Sequence, residues 1–487
     1  MAITEVKIDT MEPFADGTVF GPAGSYVRIK GVAKGEIDPT SQENHAIADL
    51  DKVPQNARGM VEYEADIFIL RPVDPPRASG VLAYDVTNRG RKMIFNLLDD
   101  APADADTNDP KTAGDVGLGF TLGRGYILVW SGWDSGAPRA NSGMTARLPL
   151  AMERGEPMVR RIRHEFHVGT RAPGTGEMVR LNYPAVVADP RKARLTVRDR
   201  ESDDRIEIPP ECWAFVDRQS IRLLPAGTRF VPYRIYDLWY EASGSAVLGT
   251  GFAATRDLVS FLRYEHADRN GTLNPIIADG GWGGLPGARH AIAFGVSQAG
   301  RFLRHFLELG MNDDGHGRRV FDGVLTHVAG AGKVFANHSF AMPGRTATQH
   351  EDRLYPENWF PFTNAVTTDL LSGQRSAILN GRPTDPLMIE VNTSTEYWQK
   401  GASLVHTDPA DGRDAELPST ARVYMITGTQ HGGRPGTDPN PGPCVNPRNP
   451  HSATPALRAL FVALEEWVRT GIAPRRVAFP LLHEARQ

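Results

Sequence analysis

The chain has 487 residues, of which 40% are hydrophobic and 23% are charged, and its formal net charge is -4. This is the composition of an ordinary folded protein, and the lack of a basic block or an acidic tail argues against nucleic acid or a strongly basic protein as a partner. No apolar run approaches the roughly 20 residues that cross a bilayer. Because Cys212 and Cys444 are far apart and lack C-x-x-C spacing, we expect neither a disulfide framework nor a zinc site.

The N-terminal residues alternate in polarity as a strand does and lack the charged-then-apolar layout of a signal peptide. We therefore expect a cytoplasmic protein, with a removed leader peptide as the alternative. Residues 1–75 carry strand-like runs at 26–30 and 65–70, separated by Gly, Pro and Asp. These runs predict an antiparallel β lead-in.

A rhythm of strands and helices follows, and it is typical of an α/β protein with a mostly parallel central sheet. Apolar runs at 80–87 and 126–130 predict buried strands, and the periodicity of residues 92–98 and 114–122 predicts helices.

The character of the chain changes at residues 148–240, where charged strands alternate as in a half-solvated antiparallel sheet. We predict a β-rich insertion there, and an α/β core formed by residues 76–147 and 241–487. Residues 251–264 predict a long amphipathic helix. The glycine-rich connection at 279–287 resembles a phosphate loop only superficially, because no G-K-[ST] follows it.

The most informative stretch is residues 291–303, an apolar run that ends in Gly295-Val296-Ser297-Gln298-Ala299 and continues with helical periodicity. A serine hydroxyl can attack a carbonyl when a sharp strand-to-helix turn projects it clear of the backbone, and that turn needs small residues two places before and after it. Gly295 and Ala299 are both small, so the pattern predicts a nucleophile elbow at Ser297. The alternatives are a chance match and a dinucleotide loop, in which Ser297 would obstruct the pyrophosphate.

An oxyanion formed at this serine would need hydrogen-bond donors. The helix that begins at Gln298 supplies a backbone N–H and its dipole. In a parallel sheet that carries a nucleophile elbow, a loop after a neighbouring strand supplies a second N–H. Here that loop follows the strand predicted at 80–87, so Asn88 or Arg89 is the expected donor. The alternative is an ordinary strand-to-helix turn in which Gly90 provides a special dihedral angle.

Residues 330–386 are too many for a plain connection, and long segments inside a compact domain are often functional. Their aromatic residues predict a lid-like insertion that gives a substrate pocket an apolar wall, with a packed excursion as the alternative. The aromatic residues are Tyr355, Trp359, Phe360 and Phe362. The candidate pocket residues are Trp133, Trp359, Phe360 and Trp398. The alternative for Trp133 is a core position, which is the commoner place for an aromatic residue at a strand end.

Strands predicted at 387–391 and 423–426 run into polar loops that carry Glu396 and His431. The order nucleophile, acid, histidine, with each residue after a strand, matches a Ser-Glu-His triad. His431 would take the proton of Ser297, and Glu396 would hold the imidazole in the required tautomer.

Other residues compete for these roles. Asp385 would lie at the wrong end of its strand, and Glu390 would point into a sheet layer. His406 and His451 lack a preceding strand. The chain closes at 455–471 with the periodicity of a core-packing helix.

Over most of its length the chain resembles a large family of α/β-hydrolase-domain proteins. The segments that carry the resemblance are Thr87-Asn88-Arg89-Gly90, Gly251-Phe252-Ala253-Ala254-Thr255-Arg256-Asp257, Gly295-Val296-Ser297-Gln298-Ala299-Gly300-Arg301, Asn392-Thr393-Ser394-Thr395-Glu396-Tyr397-Trp398 and Gly428-Thr429-Gln430-His431-Gly432. The resemblance implies an α/β-hydrolase fold, a Ser-Glu-His triad and esterase-type activity. It does not imply a substrate.

We therefore expect a serine hydrolase that cleaves small carboxylic esters through an acyl-enzyme on Ser297, without a metal or other cofactor. The alternatives within enzymes are a lactonase or an amidase with the same triad. A non-catalytic binding protein of the same fold is a further alternative, and a nicotinamide-dependent enzyme is disfavoured by the serine in the glycine position. The oligomeric state is left open.

Overall fold

The computed structural model describes residues 2–169, 176–277, 287–343, 356–432 and 449–475. Within these residues the strands, in chain order, are β1 (Ile3–Pro13), β2 (Tyr26–Ile37), β3 (Val61–Pro72), β4 (Val81–Asp85), β5 (Ile127–Ser131), β6 (Ala146–Arg147), β7 (Met152–Glu153), β8 (Glu156–Pro157), β9 (Val159–Phe166), β10 (Val179–Arg180), β11 (Arg194–Arg198), β12 (Ile206–Ile208), β13 (Trp213–Asp217), β14 (Ser220–Leu223), β15 (Ile235–Ser243), β16 (His290–Val296), β17 (Gly323–His327), β18 (Thr367–Thr368), β19 (Arg375–Ser376), β20 (Leu387–Thr393) and β21 (Ala421–Ile426). The α-helices are α1 (Ile94–Leu98), α2 (Phe120–Gly123), α3 (Thr250–Tyr264), α4 (Gln298–Glu308), α5 (Ser394–Gln399) and α6 (Thr454–Thr470).

Ten of the described strands form one mixed sheet in the order β1-β2-β3-β5-β4-β16-β17-β20-β21, with β6 also paired to β3. The strands from β5 to β21 in this order are parallel neighbours. The pairs β1/β2, β2/β3 and β3/β5 are antiparallel. The expected mostly parallel sheet is confirmed, and the antiparallel N-terminal strands extend this same sheet.

The two faces of the sheet are covered by different helices. Along β16, Ala291 and Ala293 join a hydrophobic cluster with residues of α3 and α4, whereas Ile292 and Phe294 join a cluster with residues of α1, α2 and α6. This alternation follows from the two-residue period of a strand. Strands buried on both faces need apolar side chains in both registers, which explains the continuous apolar run of β16.

Helix α3 differs from the sequence prediction, since it has no polar face toward solvent. Arg256 and Asp257 are buried, and Arg256 Nε lies 2.8 Å from Asp257 Oδ1. The hydroxyl of Tyr63 on β3 donates to Asp257 Oδ2 at 2.9 Å, and Arg256 donates to Asn44 Oδ1 at 2.9 Å. The polar side chains of α3 thus face buried hydrogen-bond partners and not solvent. The sequence pattern is the same in both cases, which is why it predicts an amphipathic helix.

The helix predicted at 114–122 is also different. The structure has a 3₁₀ turn at Ala113–Val116 and then the short helix α2, separated by Gly117 and Gly119. Both glycines have positive φ angles, 59° and 64°, which interrupt a right-handed helix. Helix α1 lies within the predicted range 92–98, and α6 covers nearly all of the predicted helix at 455–471.

The segment at 148–240 is rich in short strands, as its pattern predicts. A four-stranded sheet has the order β12-β11-β15-β9, and a three-stranded sheet has the order β10-β14-β13. Its apolar residues, including Leu195, Trp213 and Leu238, belong to the same hydrophobic cluster as α3 and α4. The division of the chain into a core and an insertion stays a prediction.

Two predicted segments lie partly outside the described residues. Within the glycine-rich connection at 279–287 only Gly287 is described, and residues 344–355 of the lid-like insertion, with Tyr355, fall in a gap. In the described remainder of that insertion, β18 and β19 form a two-stranded antiparallel hairpin. A role of this segment as a lid stays a prediction.

Gly251 is required by packing, and we predict that Gly251→Ala destabilises the protein. A Cβ atom at this position would lie 2.2 Å from the carbonyl oxygen of Trp133, which belongs to the backbone and cannot turn away. We expect the free energy of unfolding to fall by about 1–3 kcal/mol, as for overpacked cores. Chemical denaturation would measure it.

The matched control is Gly123→Ala, also in a helix, where nothing lies within 4 Å of the added Cβ. There alanine should be neutral or stabilise the protein by up to about 1 kcal/mol. Equal effects of the two substitutions would contradict the packing argument.

Candidate active site

Ser297 lies at the sharp turn between β16 and α4. Its φ and ψ angles are 57° and -116°, a conformation that a non-glycine residue adopts only under constraint. The Ser297 N–H donates to the carbonyl of His327 at 2.8 Å, and its own carbonyl accepts from the N–H of Arg301 at 2.9 Å. A Cβ on Gly295 would lie 2.5 Å from the carbonyl oxygen of Ala299, so the turn does require glycine there.

The imidazole of His431 lies between Ser297 and Glu396. Its Nε2 is 3.0 Å from Ser297 Oγ, and its Nδ1 is 2.6 Å from Glu396 Oε1. A carboxylate can only accept, so Nδ1 carries the ring proton and Nε2 is left to accept the serine proton. The three predicted residues therefore come together in the geometry that their roles would need.

Glu396 is fully buried and held on both oxygens. Burial alone would raise its pKa, but hydrogen bonds from His431 and Thr393 hold the pKa below the ordinary value for a glutamate. The Thr393 N–H donates to Oε2 at 3.1 Å, and the Thr393 hydroxyl donates to the same oxygen. The carboxylate is thus ionised at neutral pH and fixed at the start of α5.

Neighbouring hydroxyls of α5 hold the loop that carries His431. Ser394 Oγ accepts the N–H of Gly428 at 2.9 Å, and Thr395 Oγ1 accepts the N–H of His431 at 3.2 Å. Thr393, Ser394 and Thr395 were not predicted from the sequence as site residues. For Thr393 a signal was present, because Thr393-x-x-Glu396 is a capping-box pattern at the start of a helix.

The competing acids have other partners. Glu390 is buried in a salt bridge with Arg304 and also accepts from Asn364 Nδ2 at 2.8 Å. Its pKa is raised by burial. Asp385 lies before β20 and accepts the N–H of Arg382 at 3.0 Å. Glu390 thus pairs with buried side chains and Asp385 with a backbone N–H, and His431 contacts Glu396 instead.

The competing histidines also lie elsewhere. His406 is buried, and its Nε2 is 3.0 Å from the hydroxyl of Tyr397. His451 is exposed, and its N–H donates to Asn449 Oδ1 at 3.0 Å.

The expected oxyanion donors need one correction. The Asn88 N–H donates to the carbonyl of Arg91 at 2.9 Å, so it is not the donor, and the Asn88 side chain instead donates to the carbonyl of Val296 at 2.8 Å. The Arg89 N–H faces the elbow and donates to Gln298 Oε1 at 3.2 Å. Gln298 is the first residue of α4, so its own N–H has no acceptor within the helix.

The candidate pocket residues differ in their exposure and in their contacts. Trp133 is buried, its Nε1 donates to the carbonyl of Thr87 at 2.8 Å, and its ring lies 4.7 Å from that of Phe302. The pocket prediction for Trp133 is wrong, because the ring fills the core beside α4. Trp398 is 87% exposed on α5.

Trp359 and Phe360 are half-buried. The Trp359 ring lies 5.2 Å from that of His305, and Lys333 Nζ is 4.7 Å above it. The carbonyl of Phe360 accepts from Lys333 Nζ at 3.2 Å. A pocket role for Trp359, Phe360 and Trp398 stays a prediction.

His327 is a further residue at this site that the sequence analysis did not single out. It ends β17, and burial together with the charge of His431 lowers its pKa to about 4, against the opposing effect of Glu396. It is therefore neutral at physiological pH. The available signal was its position near the end of the mostly apolar run at 321–328, which is typical of a buried strand.

Within the described ranges, no group of His, Cys, Asp and Glu side chains could hold a metal ion. In the same residues no helix combines the length and the apolar character that crossing a bilayer requires. Cys212 is exposed with a free thiol, and Cys444 lies outside the described residues.

A family model described as an alpha/beta hydrolase domain matches residues 212–485. This match covers more than half of the chain and includes Ser297, Glu396 and His431, but not the loop of Asn88 and Arg89. The chain therefore belongs to the alpha/beta hydrolase domain family, and this membership suggests a hydrolase. Neither the curated proteins nor the solved structures contained a match.

The roles of the carboxylates of Glu390 and Glu396 can be distinguished by replacing each residue with glutamine. Glu390→Gln leaves Arg304 as an uncompensated buried charge, so the free energy of unfolding should fall by about 3–5 kcal/mol. The contacts of His431 stay intact, so the folded protein should still react with a fluorophosphonate at Ser297.

For Glu396→Gln we expect the opposite pattern, with a smaller loss of stability and labelling slowed by up to about 10⁴, since the imidazolium loses its counter-charge. Chemical unfolding and intact-mass labelling would measure the two effects. Normal labelling of Glu396→Gln together with loss of labelling in folded Glu390→Gln would assign the acid to Glu390.

Proposed function

We propose that the protein is a serine hydrolase that cleaves carboxylic esters through an acyl-enzyme on Ser297. The observation that carries the proposal is the single imidazole of His431, 3.0 Å from the serine hydroxyl and 2.6 Å from a buried carboxylate. A serine without a catalytic role would not need a histidine that is itself held by a buried carboxylate. Membership of the hydrolase family supports the same conclusion.

In the acylation step, Ser297 Oγ forms a bond to the ester carbonyl carbon while His431 Nε2 takes the hydroxyl proton. The tetrahedral oxyanion then collapses, the bond to the alcohol oxygen breaks, and His431 returns the proton to the leaving alcohol. Glu396 stabilises the imidazolium that exists between these two transfers.

In the second step a water molecule attacks the acyl-enzyme. His431 takes a proton from the water as the water oxygen bonds to the acyl carbon. The new tetrahedral intermediate then collapses, the bond from this carbon to Ser297 Oγ breaks, and His431 returns the proton to Oγ, which leaves a carboxylic acid and free Ser297. Each half of the cycle returns His431 to its neutral form, and the second half returns the proton of Ser297. No oxidant, reductant or metal enters the balance.

The oxyanion of both intermediates would be bound by the N–H groups of Gln298 and Arg89. Both groups belong to the backbone beside Ser297, and the first also lies at the positive end of the α4 dipole. Removal of one such donor typically costs about 10² to 10³ in rate.

Two alternatives use the same site. A lactonase or an amidase differs in how the leaving group is protonated and in the shape of the pocket, not in the triad. A binding protein without turnover would need an unreactive Ser297, which the short contacts of His431 argue against.

Ser297 should be the nucleophile, so we predict that a fluorophosphonate adds once to the wild-type protein and not to Ser297→Ala. Ester hydrolysis by this variant should fall by about 10⁶. Intact mass spectrometry would count the adducts, with a known small hydrolase as the positive control. A variant that is still labelled would move the nucleophile to another residue.

Ester specificity is tested with an aryl ester, a lactone and an anilide of matched acyl length. We expect the aryl ester to give the highest kcat/KM, because a phenolate leaves with little proton transfer, whereas the amine of the anilide must be protonated by His431 before it leaves. A higher kcat/KM for the lactone or the anilide would favour the corresponding alternative.

A further inference from the structure

The side chain of Gln298 is 1% exposed, although it directly follows the nucleophile. Its Oε1 accepts the N–H of Arg89 at 3.2 Å, and its Nε2 donates to the carbonyl of Pro343. One amide thus joins the start of α4, the loop after β4 and the segment that follows β17.

The Arg89 loop is under constraint and needs such support. Arg89 has a φ angle of 52° and is followed by Gly90 at 79°, so neither residue has ordinary strand or helix geometry. A Cβ on Gly90 would lie 2.8 Å from the carbonyl oxygen of Met144, so the loop is also packed closely from behind. The side chain of Asn88 fixes its first residue to Val296 at 2.8 Å. Gln298 then holds the N–H that the proposed mechanism uses.

The chemistry of an amide suits this task. An amide both accepts and donates, so it can hold Arg89 through its oxygen while Pro343 holds its nitrogen. The bond to Arg89 is at the long end of the usual range, and a developing oxyanion is a stronger, charge-assisted acceptor. The N–H can therefore turn to the oxyanion while the amide remains held by Pro343.

Resting on the function proposed above, we propose that Gln298 is a positioning residue that aims the Arg89 N–H at the oxyanion and makes this aim depend on the carbonyl of Pro343. Its effect should appear in the transition state and not in ground-state binding. A substitution should accordingly lower kcat and leave KM nearly unchanged.

The decisive variant is Gln298→Glu, compared with wild type on one ester across pH 5.5 to 8. Ionised glutamate repels the oxyanion and cannot donate to Pro343, so at pH 8 we expect kcat to fall by about 10² to 10³, as for a lost oxyanion donor. Protonated glutamate both accepts and donates as glutamine does. The ratio of variant to wild-type kcat should therefore rise as the pH falls.

Gln298→Met is the second variant, because it has similar volume but makes neither hydrogen bond. Its kcat should fall at every pH, and its ratio to wild type should be independent of pH. Gln374→Glu, at an exposed position of the β18–β19 hairpin, is the matched charge control and should behave as wild type. Circular dichroism melting would confirm that each variant is folded, and if Gln298→Glu does not fold, Gln298→Met decides on kcat and KM.

A flat pH ratio for Gln298→Glu, a wild-type kcat for Gln298→Met, or a change confined to KM would overturn the positioning role. Failure of the proposed function looks different. In that case wild type itself neither hydrolyses esters nor takes up a fluorophosphonate at Ser297, and the positioning role falls with it.

Discussion

The site depends on one geometric constraint, that a single imidazole must reach a hydroxyl and a carboxylate at the same time. His431 is separated from Ser297 by 134 residues and from Glu396 by 35 residues along the chain. The three meet because β16, β20 and β21 are parallel and end at the same edge of the sheet. Any change in the register of these strands would move these three side chains apart.

Buried hydrogen bonds and a salt bridge connect α4 to the neighbouring segments of the chain. Arg304, in the middle of α4, forms a salt bridge with Glu390 on β20 and donates to the carbonyls of Gly332 at 3.1 Å and of Phe362. A buried charge is costly unless it is paired and hydrogen-bonded. These bonds therefore fix β20 and the segments at Gly332 and Phe362 in one arrangement relative to α4. The hydroxyls at the start of α5 do the same for the loop of His431.

Strained backbone collects at the same edge. Ser297, Arg89 and Val328 have φ angles of 57°, 52° and 49°, and they follow the neighbouring strands β16, β4 and β17. Such conformations cost about 1–3 kcal/mol each and persist only where the surroundings impose them. Here the backbone bonds of Ser297 to His327 and of Val328 to Val391, both 2.8 Å, supply that constraint. The strained turn at Ser297 projects its hydroxyl clear of the backbone. The N–H groups of Arg89 and Gln298, which the proposed mechanism uses, lie beside it.

The sequence by itself determined the local features of this protein. Small residues around Ser297 report the sharp turn, apolar runs report the buried strands, and Glu396 and His431 follow such runs, because each of these features depends on a few neighbouring residues. Only the tertiary structure decided which groups meet across the chain: that the Asn88 N–H is taken by Arg91, that Trp133 packs in the core, that the polar residues of α3 are buried with Tyr63, and that Gln298 joins Arg89 to Pro343. These contacts join residues distant in sequence or depend on backbone angles, and neither is recorded in a local pattern of polarity.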